Sequence, residues 1–174
     1  LVHELSIVAQ SIEATLSEKD VISEKVEQLL ISTRNAFYIG RGNDYYVTME
    51  AALKLKEISY IQTEGFAAGE LKHGTISLIE DNTPVIALIS ADSTIAAHTR
   101  GNIQEVVSRG ANALIIVEEG LEREGDDIIV NKVHPFLSAI SMVIPTQLIA
   151  YYASLQRGLD VDKPRNLAKA VTVE

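Results

Sequence analysis

Three short apolar runs, separated from one another by helical patterns, limit what this chain can fold into more than any other feature. They are AFYIG (Ala36–Gly40), TPVIALIS (Thr83–Ser90) and ANALIIVEE (Ala111–Glu119). Each is rich in aliphatic residues and bounded by turn formers, as a strand buried on both faces should be. A fourth run, DIIVNKV (Asp127–Val133), follows the acidic loop from Gly120. A long helix is predicted from the RGND turn to about Tyr60. Another runs to Ser108, with Asp92 or Ser93 as its cap and Gly110 as its end. Residues 1–33 read as two helices broken near Ser17–Asp20, and a last apolar helix spans about Pro135 to Gln156, kinked or restarted at Pro145. Residues 61–76 are less regular, with AAGELKHG as a short helix. Strands alternating with helices predict a parallel sheet covered on both sides. The expected fold is therefore α/β, a three-layer αβα sandwich with four to five parallel strands, Rossmann- or flavodoxin-like.

The 174 residues suffice for one domain with a proper core, and 47% of them are hydrophobic. A formal net charge of −9 repels nucleic acid and anionic membranes, so neither is an expected partner. The absence of cysteine excludes disulfides, thiolate metal sites and a cysteine nucleophile within these residues, and it fits a reducing compartment. No apolar run is expected to span a membrane, and residues 1–35 are too charged for a signal peptide. The expected location is cytoplasmic. A start at Leu1 rather than Met suggests a piece of something longer.

Ligands of parallel α/β sheets bind beyond the carboxyl ends of the strands, which directs attention to the loops after Gly40 and Ser90. GRGNDY has Tyr45 where a dinucleotide fingerprint needs its third glycine, and Asp44 would repel a pyrophosphate. A tight turn before the helix explains it better. Ser90, Ser93 and Thr94 stand where a phosphate could meet a helix N-terminus, but capping explains them as well and is favoured. Glu70 and His73 have the spacing of half a di-iron motif. With one copy present, no metal site and no cofactor is expected.

The helix after RGND carries a different signal. At about 100° per residue, Glu50, Lys54 and Glu57 fall within roughly 60° of arc. Val47 and Ile58 flank one side of this stripe and Leu53 the other. Salt bridges of this spacing are common on solvated faces and contribute only about 0.2–0.5 kcal/mol. A solvated face should be broad, however, and this one is narrow. Charges held among apolar residues are costly unless paired or used. A carboxylate here could act as a general base, with the lysine holding a developing oxyanion. Such a set suits proton abstraction beside a carbonyl, hence sugar isomerisation.

EAALKLKEISY (Glu50–Tyr60), AAGELKHG (Ala67–Gly74) and above all the tail DVDKPRNLAKAVTVE (Asp160–Glu174) resemble the glucosamine-6-phosphate synthase family. The resemblance covers nearly the whole chain and is strongest over residues 38–74 and 143–174. It implies a sugar-isomerase (SIS) domain over 1–158, including N-terminal helices at 1–34, and an active-site tail at 159–174. Members of that family also have a glutaminase domain and a first SIS domain. They convert fructose 6-phosphate and glutamine into glucosamine 6-phosphate and glutamate.

The resemblance also implies residue roles. Glu57 matches the glutamate that moves a proton between C1 and C2, and Lys54 and Glu50 match its neighbours in the sugar site. His73 matches a histidine assigned to ring opening in the adjoining subunit's site, so a homodimer is expected. Lys169 matches a tail lysine that forms a Schiff base with the open-chain ketose, and Ala168 a backbone contact to the sugar. Ala51 and Thr75 depart from common glycine and proline in the family, without consequence for these roles. One departure matters more. GRGND lacks the Ser/Thr cluster with which the family's first SIS domain holds phosphate, so these residues alone should bind phosphosugar poorly and be inactive. Two further readings share the fold: a non-catalytic phosphosugar-binding regulatory module, and a related sugar-phosphate isomerase or deglycase. A sensor needs neither Glu57 nor Lys169, and the tail argues against the relative.

Overall fold

A computed structural model describes residues 2–90 and 92–166. The two N-terminal helices form as the apolar spacing predicts, α1 at Val2–Ser17 and α2 at Lys19–Leu30. The sheet and its crossovers follow: β1 (Asn35–Gly40), α3 (Asn43–Ser59), β2 (Gln62–Ala67), β3 (Pro84–Ile89), α4 (Ser93–Val107), β4 (Asn112–Glu118), β5 (Ile128–Val130) and α5 (Ser138–Gln156). All five strands are parallel, in the order β2-β1-β3-β4-β5. The chain order reverses between β1 and β3, which is where such sheets open a crevice at their carboxyl edge.

Successive side chains of the strands serve opposite faces. Tyr38, Ile86, Leu88, Leu114 and Ile116 pack under α2, α3 and α5. Phe37, Ile39, Val85, Ala87 and Val117 meet α4 and the segment from Ala68 to Ile79. The fold is thus the expected αβα sandwich, with five strands.

The segment that reads as irregular contains β2. Its sequence, QTEGFA, lacks a β-branched run, and it forms an edge strand paired on one side only. Gly65 is needed there, because a Cβ would come within 2.7 Å of the Thr48 carbonyl oxygen in α3. The short helix expected in AAGELKHG is a single 3-10 turn, Leu71–His73.

Two expectations about the last helix need correction. α5 continues through Pro145 without restarting. Residues Pro135–Gln156, with mean hydropathy 1.4 in their most apolar window, are also long and apolar enough to cross a membrane. In this fold the helix packs on α3 and α2 instead. Met142, Ile149, Ala150 and Ala153 are buried in the core, and the Ser154 hydroxyl donates to the Ile58 carbonyl at 3.0 Å.

Candidate functional site

The three charged residues of α3 stay together. Lys54 Nζ lies 2.7 Å from Glu57 Oε2 and 3.8 Å from Glu50 Oε1. Helical spacings of three and four residues put all three on one face, and the helix beneath them is fixed. Ala51, Ala52 and Leu55 are buried, and α5 holds the Ile58 carbonyl. The stripe runs along the border of the buried surface. Val47 is buried and Ile58 half-buried on its inner side, while Tyr46, Met49 and Leu53 are exposed on its outer side. Lys54 is held charged, its pKa raised chiefly by the hydrogen bond to Glu57. Among the described residues, no hydrogen bond reaches Oε1 of Glu57, which leaves that oxygen able to take a proton.

Glu57 opens into a recess of about 360 Å³ that it shares with Leu53, Lys56, Tyr60, Arg165 and Asn166. The Arg165 guanidinium stacks 4.0 Å from the Tyr60 ring centroid. The Arg165 backbone N–H donates to the Tyr60 hydroxyl at 2.8 Å. Tyr60 takes a left-handed conformation (φ 61°) just after α3 and aims its ring at this contact. The start of the tail is therefore docked beside Glu57. Lys54 also borders a second, more apolar recess of about 440 Å³ between α1, α3 and α5. Lys169 and Ala168 lie outside the described residues.

His73 is not part of this cluster. It is exposed on the 3-10 turn after β2. Glu57 stands near the end of α3, ahead of β2, and His73 lies beyond the strand's carboxyl end, so β2 intervenes between the two.

The carboxyl ends of the strands hold a separate cavity of about 590 Å³. It lies where the chain order reverses, and its walls include Arg41, Asp44, Ser90, Glu118, Lys132 and Ser138. Gly40 lets α3 start tight against the end of β1, since a Cβ there would meet Asp44 backbone atoms at 2.8 Å. That turn tucks the Asp44 carboxylate under the end of β3. There it accepts the Ser90 backbone N–H at 2.8 Å and a short hydrogen bond from the Ser90 hydroxyl. Burial pushes its pKa up, and the two bonds from Ser90 oppose the shift. Asp44 therefore does not cap α3. Ser90 likewise is committed to Asp44. Asp92, one of the two expected caps, caps α4 by accepting from Thr94 and Ile95 N–H, whereas the hydroxyls of Ser90, Ser93 and Thr94 make no cap bond among the described residues.

Sequence reasoning missed Glu118. It ends a buried strand, is 7% exposed and lines the cavity. Burial raises its pKa to about 7, opposed by Lys132 and reinforced by Asp44. A carboxylate closing an otherwise apolar strand was the only signal available for it.

Comparisons with known proteins bear on the family. The SIS domain profile matches residues 29–157, most of the chain. The chain is 84% identical over all 174 residues to the glutamine–fructose-6-phosphate aminotransferase (isomerizing) of Streptococcus pyogenes serotype M1. It is 78% identical over the same span to the enzyme of that name from Lactococcus lactis. It covers 29% of the length of each of these relatives. Among solved structures, it is similar to the C-terminal domain of glucosamine-fructose-6-phosphate aminotransferase from Francisella tularensis. That match has TM-score 0.84 and 31% identity, over 92% of this chain and 46% of that one. The tagatose-6-phosphate ketose/aldose isomerase of Escherichia coli has the same fold, with TM-score 0.74 and 22% identity over 89% of this chain and 44% of that one. By the span and strength of these matches, the chain belongs to the SIS domain family.

Proposed function

We propose that this chain is the second SIS domain and tail of an isomerising aminotransferase that makes glucosamine 6-phosphate and glutamate from fructose 6-phosphate and glutamine. Residues 1–158 form the domain and 159–174 the tail. A first SIS domain and a glutaminase domain complete the enzyme. One observation carries the reading: Glu57, on a fixed helix, shares its recess with Arg165 and Asn166 of the tail.

Three bonds of chain separate Asn166 from Lys169, a reach of at most about 11 Å. Lys169 can therefore form an imine with C2 of the open-chain ketose, releasing water. The imine acidifies the C1 hydrogens. Ammonia released from glutamine displaces the Lys169 amine by transimination, so that the nitrogen left on C2 is the product's own. Glu57 then accepts one C1 hydrogen as a general base and returns it to C2, while the C1 hydroxyl gives up its proton to become the aldehyde. Lys54 stays charged and faces the oxyanion that builds up during the transfer. Glu50 balances it from the other side at 3.8 Å. The Ala168 backbone adds a contact to the sugar.

His73 assists ring opening in the neighbouring subunit of a homodimer. Its separation from Glu57 within one protomer supports this division of labour. Mixed dimers test it. His73→Ala and Glu57→Gln enzymes, each inactive alone, should regain one working site per mixed dimer when combined. No recovery would place both residues in one protomer's site or leave His73 without a role. The strand-end cavity supports the expectation of weak phosphosugar binding by these residues alone, because Asp44 and Glu118 repel phosphate.

A further inference from the structure

The stripe on α3 makes no use of the cavity at the strand ends, yet that cavity has the features of a binding site. Its volume of about 590 Å³ lies within the usual range for small ligands. Glu118 is more than nine-tenths buried, lines the cavity, and has no hydrogen-bond or salt-bridge partner among the described residues. Its carboxylate oxygens open onto the cavity, so their hydrogen-bond donors come from whatever fills it, water or a ligand.

Three of the other charged groups are engaged. Asp44 is satisfied by Ser90. Arg41 donates to Asn102 Oδ1 at 2.9 and 3.2 Å. Asp92 caps α4. Lys132 is exposed and stays beyond salt-bridge distance of Glu118, although its charge is felt there. Glu118 is thus the one acidic group of this wall still open to a ligand. With Asp44 behind it, the wall rejects anions. No group of three or more potential metal ligands exists among the described residues, so a metal ion is poorly served. The hydroxyls of Ser90, Ser93 and Ser138 also line the cavity, and each retains acceptor capacity.

We propose that this cavity binds a protonated primary amine carried on a small hydroxylated molecule, with Glu118 as the counter-charge and the serine hydroxyls as partners for the ligand's hydroxyls. The site is independent of Glu57. Because Glu118 titrates near neutrality, the ligand should be held better at pH 8 than at pH 6. Arg41, Asp44, Asp92 and Lys132 are the other charged groups around it.

The test titrates the 15N-labelled chain with D-glucosamine up to about 50 mM, alongside D-glucose as the uncharged isostere. Saturable shifts should centre on Ser90, Glu118 and Ser138, with glucose at least about tenfold weaker. Glu118→Gln should weaken glucosamine by about tenfold or more, and Lys132→Met should tighten it by about threefold. Should Glu118→Gln fail to fold, the Lys132→Met result decides. The proposal is overturned by equal binding of the two sugars, by shifts elsewhere on the molecule, or by an unchanged affinity in Lys132→Met. It is also overturned by no binding at all, which would mean that Lys132 turns inward and neutralises Glu118. None of these outcomes depends on isomerase activity, so the proposal can fail while the isomerase reading stands.

Discussion

The two acidic regions of this molecule solve opposite problems. On α3, Glu57 is half-exposed and already paired with Lys54, so its charge costs little and its free oxygen can work. At the strand ends, Asp44 and Glu118 are buried, and among the described residues only Asp44 has partners. A proton carrier needs a carboxylate that gains and loses hydrogen at little cost on a surface the substrate can reach. A binding wall can hold a carboxylate in tension until a ligand relieves it. On the proposed reading, the chemistry sits away from the strand ends where parallel sheets usually bind their ligands.

The contrast can be broken at several points. The largest expected effect is on activity. In an isomerase rebuilt with a first SIS domain, Lys169→Arg should lower turnover by about a thousandfold or more, since a guanidinium forms no imine under these conditions. Its thermal midpoint should be unchanged. A matching drop in stability would mean that the tail lysine is structural.

The next effect concerns the buried wall and pH. The folded-state pKa of Glu118, about 7, lies above its ordinary value of 4.5. The folded protein therefore holds a proton that the unfolded chain has lost between those values. Stability from this group is full below about pH 4.5 and declines as pH rises through 7, by on the order of 3 kcal/mol. Glu118→Gln should accordingly stabilise the chain by about 1–3 kcal/mol at pH 8 and hardly at all at pH 4, as read by urea melts. Equal effects at both pH values would contradict the burial argument.

The α3 pair should behave in the reverse way. Lys54→Met should change stability by no more than about 0.5 kcal/mol, because the pair is partly solvated. It should nevertheless cost about tenfold to a hundredfold in turnover of the rebuilt isomerase. A large loss of stability would mark the stripe as structural. Smallest of all, Tyr38→Phe removes a buried hydroxyl that has no hydrogen-bond partner among the described residues. It should be neutral or stabilising by up to about 1 kcal/mol in the same melts.

The sequence made some of this legible and hid the rest for identifiable reasons. β1, β3 and β4 announce themselves because strands buried on both faces must be apolar throughout. β2 does not, because an edge strand with Gly65 pressed on α3 carries neither the alternation nor the composition. The Glu50–Lys54–Glu57 stripe could be read because helix geometry fixes local spacings. Asp44 and Ser90 are 46 positions apart, and no spacing rule links them. The distance between His73 and Glu57 follows only once β2 is recognised as a strand.

Glu57 is the residue on which the functional reading rests, and hydrogen exchange at C1 of the substrate reports on it most directly. The rebuilt isomerase should wash solvent deuterium into C1 of fructose 6-phosphate, and Glu57→Gln should slow that exchange by about a thousandfold or more with the fold intact. Exchange at the original rate in the folded Glu57→Gln protein would show that another group carries the proton and would contradict the assignment.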